Sequence, residues 1–98
     1  MLADEYGAKI LSMTFQKPQP VQEISRVCDI PIAVAYRRVT QMEEAGLLKA
    51  QSVDERKRGR KVKYYSCNVS AVNFAFKDGT FSIEIDWLKE SQMIAKQN

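Results

Sequence analysis

Histidine is absent from the 98 residues, and that one gap excludes much chemistry. Without it there is no histidine general base, no Ser-His or Cys-His nucleophile pair and no histidine metal ligand. Cysteine is scarce: Cys28 and Cys67 lie far apart and form neither a C-x-x-C pair nor a disulfide framework. Cys28 falls on an apolar helical stripe, where a buried, inert thiol is expected. Four glycines stand singly, so there is no Gly-rich phosphate loop. No stretch approaches the ~20 apolar residues of a membrane span. The opening Met1-Leu2-Ala3-Asp4-Glu5 has acids where a secretory signal has a basic leader. These absences predict a cytoplasmic protein that is not an enzyme, with no cofactor, no metal and no membrane partner. What remains is ordinary for a globular domain, 45% hydrophobic and 28% charged, and long enough for one core.

The net charge of +3 is unevenly placed. Residues 1–53 carry six basic and six acidic side chains, and residues 64–98 carry three basic and four acidic. Residues 54–63 (Asp-Glu-Arg-Lys-Arg-Gly-Arg-Lys-Val-Lys) carry six basic and two acidic, so this segment alone supplies the excess. Taken by itself such a run is as readily a solvated loop as a binding feature. Its neighbours decide between the two.

Apolar spacing predicts a first helix over residues 2–15, with Ala3, Tyr6, Ile10 and Met13 at steps of three and four. Lys17-Pro18-Gln19-Pro20 ends it. Pro20 suits the first turn of a second helix, residues 21–28, with Val21, Ile24, Val27 and Cys28 on one stripe. Asp29-Ile30-Pro31 is a turn, with Asp29 or Ile30 expected at the cap of a third helix, residues 31–45, that Gly46 stops. Its core stripe is Ala35, Val39 and Met42; Ala33, Arg37, Thr40 and Glu44 point the other way, with Tyr36 and Gln41 on the flanks. A strand through Val53, a turn around Gly59 and a return strand over residues 62–68 make a ribbon with a basic tip.

Beyond it, Val72-Asn73-Phe74-Ala75-Phe76 and Phe81-Ser82-Ile83-Glu84-Ile85 alternate with period two around Asp78-Gly79, a strong hairpin turn. Pairing about that turn sets Phe76 opposite Phe81, Phe74 opposite Ile83 and Val72 opposite Ile85, so one face is wholly apolar. A short closing helix is expected from Trp87 to about Ala95.

Residues 20–48, with Glu23-Ile24-Ser25, Ile30-Pro31, Tyr36-Arg37-Arg38 and Met42-Glu43-Glu44-Ala45-Gly46-Leu47-Leu48, resemble the core of ArsR-like winged helix-turn-helix transcription regulators of small archaeal type. The resemblance covers about residues 2–67. It implies that the third helix is a recognition helix and residues 54–63 a wing tip. The Cys-x-Cys pair and His/Asp clusters of the metal-sensing branch are lacking, so metal sensing is not carried over. The expected fold is α+β: three N-terminal helices and a two-stranded wing in a DNA-binding domain, 1–68, then a C-terminal hairpin and final helix, 69–98.

The residue chemistry fits a double-stranded DNA partner. Arg37 can make a bidentate contact with guanine in the major groove. Thr40 and Gln41 add polar contacts, Ala33 allows close approach, and Tyr36 suits a phosphate. Arg38 lies nearer the core stripe, where a backbone contact or an internal ion pair is expected. Simple solvation is the plain alternative for a lone exposed arginine, and the wing outweighs it. Arg56, Lys57, Arg58, Arg60, Lys61 and Lys63 can lie along a phosphate backbone, which positions the protein without carrying sequence information.

The hairpin residues Phe74, Phe76, Phe81, Ile83, Ile85 and Trp87 either complete the monomer core or form a homodimer interface. The second is favoured, because the first three helices supply their own core, and it predicts an inverted-repeat operator. The function expected is a transcription regulator. Its rivals are a protein-interaction winged helix and a sequence-tolerant chromatin or RNA binder.

Overall fold

Three prolines and Gly46 divide the N-terminal half of the chain into helices, as the computed structural model records. It describes residues 5–55 and 59–88, with Asp54, Glu55 and Arg60 by backbone alone. The described fold is α+β: helices α1 (Glu5–Gln16), α2 (Val21–Cys28) and α3 (Ile32–Glu44), then strands β1 (Leu48–Glu55), β2 (Arg60–Cys67), β3 (Val69–Lys77) and β4 (Thr80–Trp87). The strands form two separate antiparallel pairs, β1–β2 and β3–β4. The chain divides into two compact units, residues 1–67 and 68–98. Among the described residues no helix is long and apolar enough to cross a membrane.

The first unit has its core where α1, α2, α3 and the β1–β2 ribbon meet. Ile10, Ile24, Ala35, Val39, Met42, Leu47 and Leu48 are buried there, each large aliphatic contributing about 1.5–3 kcal/mol by leaving water. The inward stripe of α1 is Gly7, Ile10 and Thr14; Ile10 is buried as expected, whereas the expected Tyr6 and Met13 are only half-buried and flank the stripe by roughly 60–100° on the wheel. Thr14 is tolerated inside because its hydroxyl donates to the Ile10 carbonyl at 2.6 Å, with the Leu11 carbonyl at 3.2 Å. On α2, Val21, Ile24 and Cys28 are buried but Val27 is exposed. Val27 sits three residues beyond Ile24, which carries it to the stripe's edge.

The turn between α2 and α3 is closed by its own polar groups. Asp29 adopts the left-handed conformation, φ 54°. Its N–H donates to the Arg26 carbonyl and that of Ile30 to the Ser25 carbonyl, an arrangement that ends a helix. The Ser25 hydroxyl donates back to the Ile30 carbonyl at 2.6 Å. Asp29 therefore closes α2 rather than capping α3, whose N-cap position is Pro31 with no side-chain bond. At the far end of α3, Gly46 takes φ 81°. Gly46 and Leu47 donate to the Glu43 and Met42 carbonyls at 2.9 Å each, and Leu47 is buried with Met42.

Gln19, extended between two prolines, exchanges two backbone hydrogen bonds with Tyr65, 2.9 and 2.8 Å. This one-residue bridge gives β2 a partner on its second edge. The ribbon register sets Ser52 opposite Lys63, Asp54 opposite Lys61 and Glu55 opposite Arg60. Gly59 at its tip has φ 62° with no atom near the place of a Cβ, so backbone conformation and not space favours glycine there.

In the second unit the hairpin pairs Phe76 with Phe81, Phe74 with Ile83 and Val72 with Ile85, the register read from the alternation. Asp78 and Gly79 both have positive φ, 53° and 77°, the geometry of a two-residue hairpin turn. The strands run further than the alternation indicates, back to Val69 and on to Trp87. Trp87 is therefore the last residue of β4 and not the first of a helix. The remainder of the expected helix, from residue 89, lies outside the described residues.

Candidate nucleic-acid interface

Burying Ala35, Val39 and Met42 fixes the rotation of α3. The helical repeat then turns Ala33, Tyr36, Arg37, Thr40, Gln41 and Glu44 to solvent, and all six are exposed. The row is graded: Ala33 and Arg37 belong to the N-terminal half, whereas Glu44 ends the helix. The positive end of the helix dipole also lies at the N-terminal half, so anions are favoured there and disfavoured near Glu44.

Arg38 is held differently from Arg37. It is half-buried, and its guanidinium stands over the Tyr6 ring of α1, 5.6 Å from the centroid. A cation placed so is attracted by the ring's negative face. Arg38 thus ties α3 to α1.

Strand β2 puts Lys61, Lys63 and Tyr65 on one side by its period of two. The lysines are exposed and Tyr65 is buried. A groove of about 290 Å³ runs here, lined by Val21 and Gln22 of α2, Tyr36 of α3, and Lys61, Val62, Lys63 and Tyr65 of β2. Helix α2 begins at its wall without a side-chain cap, which leaves the positive end of a second dipole there. Burial pushes the Tyr65 hydroxyl above its ordinary pKa, and nearby Glu43 and Tyr36 act the same way. Two lysines, two tyrosines and a helix start around one concavity suit an anionic oxygen.

Val21, Gln22, Val62 and Tyr65 line the groove without having been expected there. The only signal for Val21 and Gln22 was position, directly after Pro20 at the start of α2. Arg56, Lys57 and Arg58 lie outside the described residues, as does the side chain of Arg60. On α2, Arg26 hydrogen-bonds Glu23, Nε to Oε1 at 3.1 Å with a second nitrogen on the same oxygen. That bond holds the Glu23 carboxyl below its usual pKa.

Among the described residues no group of three His, Cys, Asp or Glu side chains is arranged to hold a metal ion. Cys28 and Cys67 are buried free thiols, and burial pushes the Cys28 thiol up from its ordinary pKa. The hairpin residues Phe74, Phe76, Phe81, Ile83 and Trp87 are exposed and Ile85 is half-buried. No protein-family model matches the chain, and no curated protein matches it significantly.

Proposed function

We propose that residues 1–68 are a winged helix-turn-helix unit of ArsR-like type that binds double-stranded DNA as a transcription regulator. In this reading α3 enters the major groove and the β1–β2 ribbon follows the phosphate backbone or dips into the minor groove. The observation that carries it is the shared groove: Tyr36, on the outward side of α3, lines one concavity with Lys61 and Lys63 of the ribbon. A helix of this kind, 10–12 Å across, fits a major groove about 12 Å wide. The flanking cations then meet the phosphates on its rim. Recognition helices read base edges with their N-terminal residues, which is where Ala33 and Arg37 stand. The Gln19–Tyr65 bridge supports the winged topology, since it joins the segment between α1 and α2 to the ribbon.

The test is fluorescence anisotropy of the full chain with a random-sequence duplex, a single-stranded RNA of equal length and a competitor polyanion. Duplex binding that weakens with salt, and selection of a preferred sequence from the random pool, are expected. A chain that binds no duplex at low salt overturns the reading, and preference for the RNA moves it to the RNA-binding rival.

A further inference from the structure

The β3–β4 hairpin of the second unit carries a face that polar chemistry does not explain. Phe74, Phe76 and Phe81 are 57%, 62% and 80% exposed, Ile83 and Trp87 50% and 40%. The Phe76 and Phe81 rings touch across the strands, centroids 4.6 Å apart. Towards the base of the hairpin the apolar side is progressively covered, Val72 and Ile85 being half-buried and Val69 buried, and a bulge at Ser70 lies between Val69 and Ala71. One inserted residue reverses the side-chain alternation, and so brings Val69 opposite Trp87 on the apolar side. The Ser70 hydroxyl donates to the Asp86 carbonyl at 3.0 Å and closes the bulge.

We propose that this face packs on the same face of a second copy of the chain, about a two-fold axis. The proposal is independent of the DNA reading. Charge separates three kinds of occupant for such a face. Three phenylalanines in a row are a suitable stacking platform for single-stranded bases. Such platforms need cations, and residues 68–98 carry three basic against four acidic side chains. An anionic lipid surface is disfavoured for the same reason. A second copy meets neither objection. Strand alternation places Lys77, Glu84 and Asp86 on the opposite side, so the apolar face presents no charge to its own image.

The area is sufficient as well. At roughly 200 Å² per aromatic side chain, the exposed fractions leave about 550 Å² uncovered on one copy. Two copies face to face bury at most about 1,100 Å² from these residues, on a par with the ~1,000 Å² expected of a specific interface. Isologous packing lets each ring fill the spaces between its partner's rings, as sheets do when they stack.

Sedimentation equilibrium of the full chain from low to high micromolar concentration, in moderate and in molar sodium chloride, tests this. A dimer that survives molar salt is expected, because apolar contacts are not screened. Phe81→Asp is expected to weaken it by about thirtyfold or more, the size of a central interface residue. Ser82→Asp, on the other side of the same strand, is expected to leave it unchanged. Circular dichroism verifies that each variant folds, and Phe81→Ala repeats the test without a charge if Phe81→Asp disturbs the hairpin. A chain that stays monomeric at high micromolar concentration overturns the proposal. Binding of a hydrophobic dye then reports whether the face is open to a different protein or covered by residues 89–98. A dimer indifferent to both Phe81 variants overturns it equally.

Discussion

Arg37 and Arg38 are identical side chains in adjacent positions, and the ~100° between them on α3 gives them different work. Arg37 faces solvent in the row with Ala33 and Thr40, whereas Arg38 lies over Tyr6. Under the proposed function, Arg37→Ala is expected to cost about 1–3 kcal/mol of discrimination between a selected duplex and its scrambled counterpart. Arg38→Ala is expected to lower stability by about 0.5–1 kcal/mol through the lost cation–ring contact, with discrimination kept. Paired affinity measurements and urea unfolding separate the two, and equal losses on both duplexes for Arg37→Ala would refute its role as a reader. A second single-residue effect concerns alkali. Burial raises the pKa of Cys28 and of Tyr65 above their ordinary values of 9.0 and 10.0. Groups whose folded pKa is raised stabilise the fold fully below the unfolded pKa, and that stability is lost as pH rises through the folded value. Unfolding midpoints are therefore expected to fall above about pH 9. Without histidine no comparable step is expected between about pH 5.5 and 8. Tyr65→Phe is expected to blunt the alkaline fall in a urea series run from neutral to high pH.

At the scale of elements, the α2–α3 turn decides how α3 is presented. Its Ser25–Ile30 hydrogen bond is part-buried, and Ser25→Ala leaves the Ile30 carbonyl without that donor. The expected cost is about 1 kcal/mol, read as a lower urea midpoint with an unchanged slope. An unchanged midpoint would remove this bond from the account. Elements with strong local signals could be read from the chain alone. Proline at 18, 20 and 31 and glycine at 46 bracket the helices, and Asp78-Gly79 fixed the hairpin register because only one pairing keeps Phe74, Phe76, Phe81 and Ile83 on one side. Failures came where tertiary contact or a polar bond overrides the pattern. Thr14 enters the core through hydroxyl bonds to its own helix, which no hydropathy pattern marks. Val27 is apolar yet exposed, since its place at the stripe's edge depends on where the core lies. Trp87 continues a strand because Val69 stands opposite it past a bulge, and a bulge leaves almost no trace in sequence. Within the candidate interface, the exposed row of α3 followed from periodicity, whereas the groove did not. It needs β2 beside the start of α2, a contact between residues some 40 positions apart.

For the molecule as a whole, charge separates the two units more sharply than composition does. Residues 1–67 carry twelve basic and eight acidic side chains, a net +4, and residues 68–98 carry a net −1. Polyanion binding by the first unit therefore predicts a definite salt dependence. Each phosphate neutralised contributes about −0.9 to the slope of log affinity against log salt. Full engagement of the six cations of residues 54–63 corresponds to a slope of about −5.4 per chain. The two lysines of the groove account for roughly −1.8 of that, so Lys61→Ala with Lys63→Ala is expected to bring the slope to about −3.6. Affinity should fall by a similar factor on every duplex, because phosphate contacts carry no sequence. The hairpin variant Phe81→Asp supplies the internal control, since its expected effect is on association between copies and not on the slope per chain. A slope unmoved by the paired lysine substitutions would mean that the groove beside Tyr36 meets no phosphate, and would leave α3 without the flanking grip that its assignment requires.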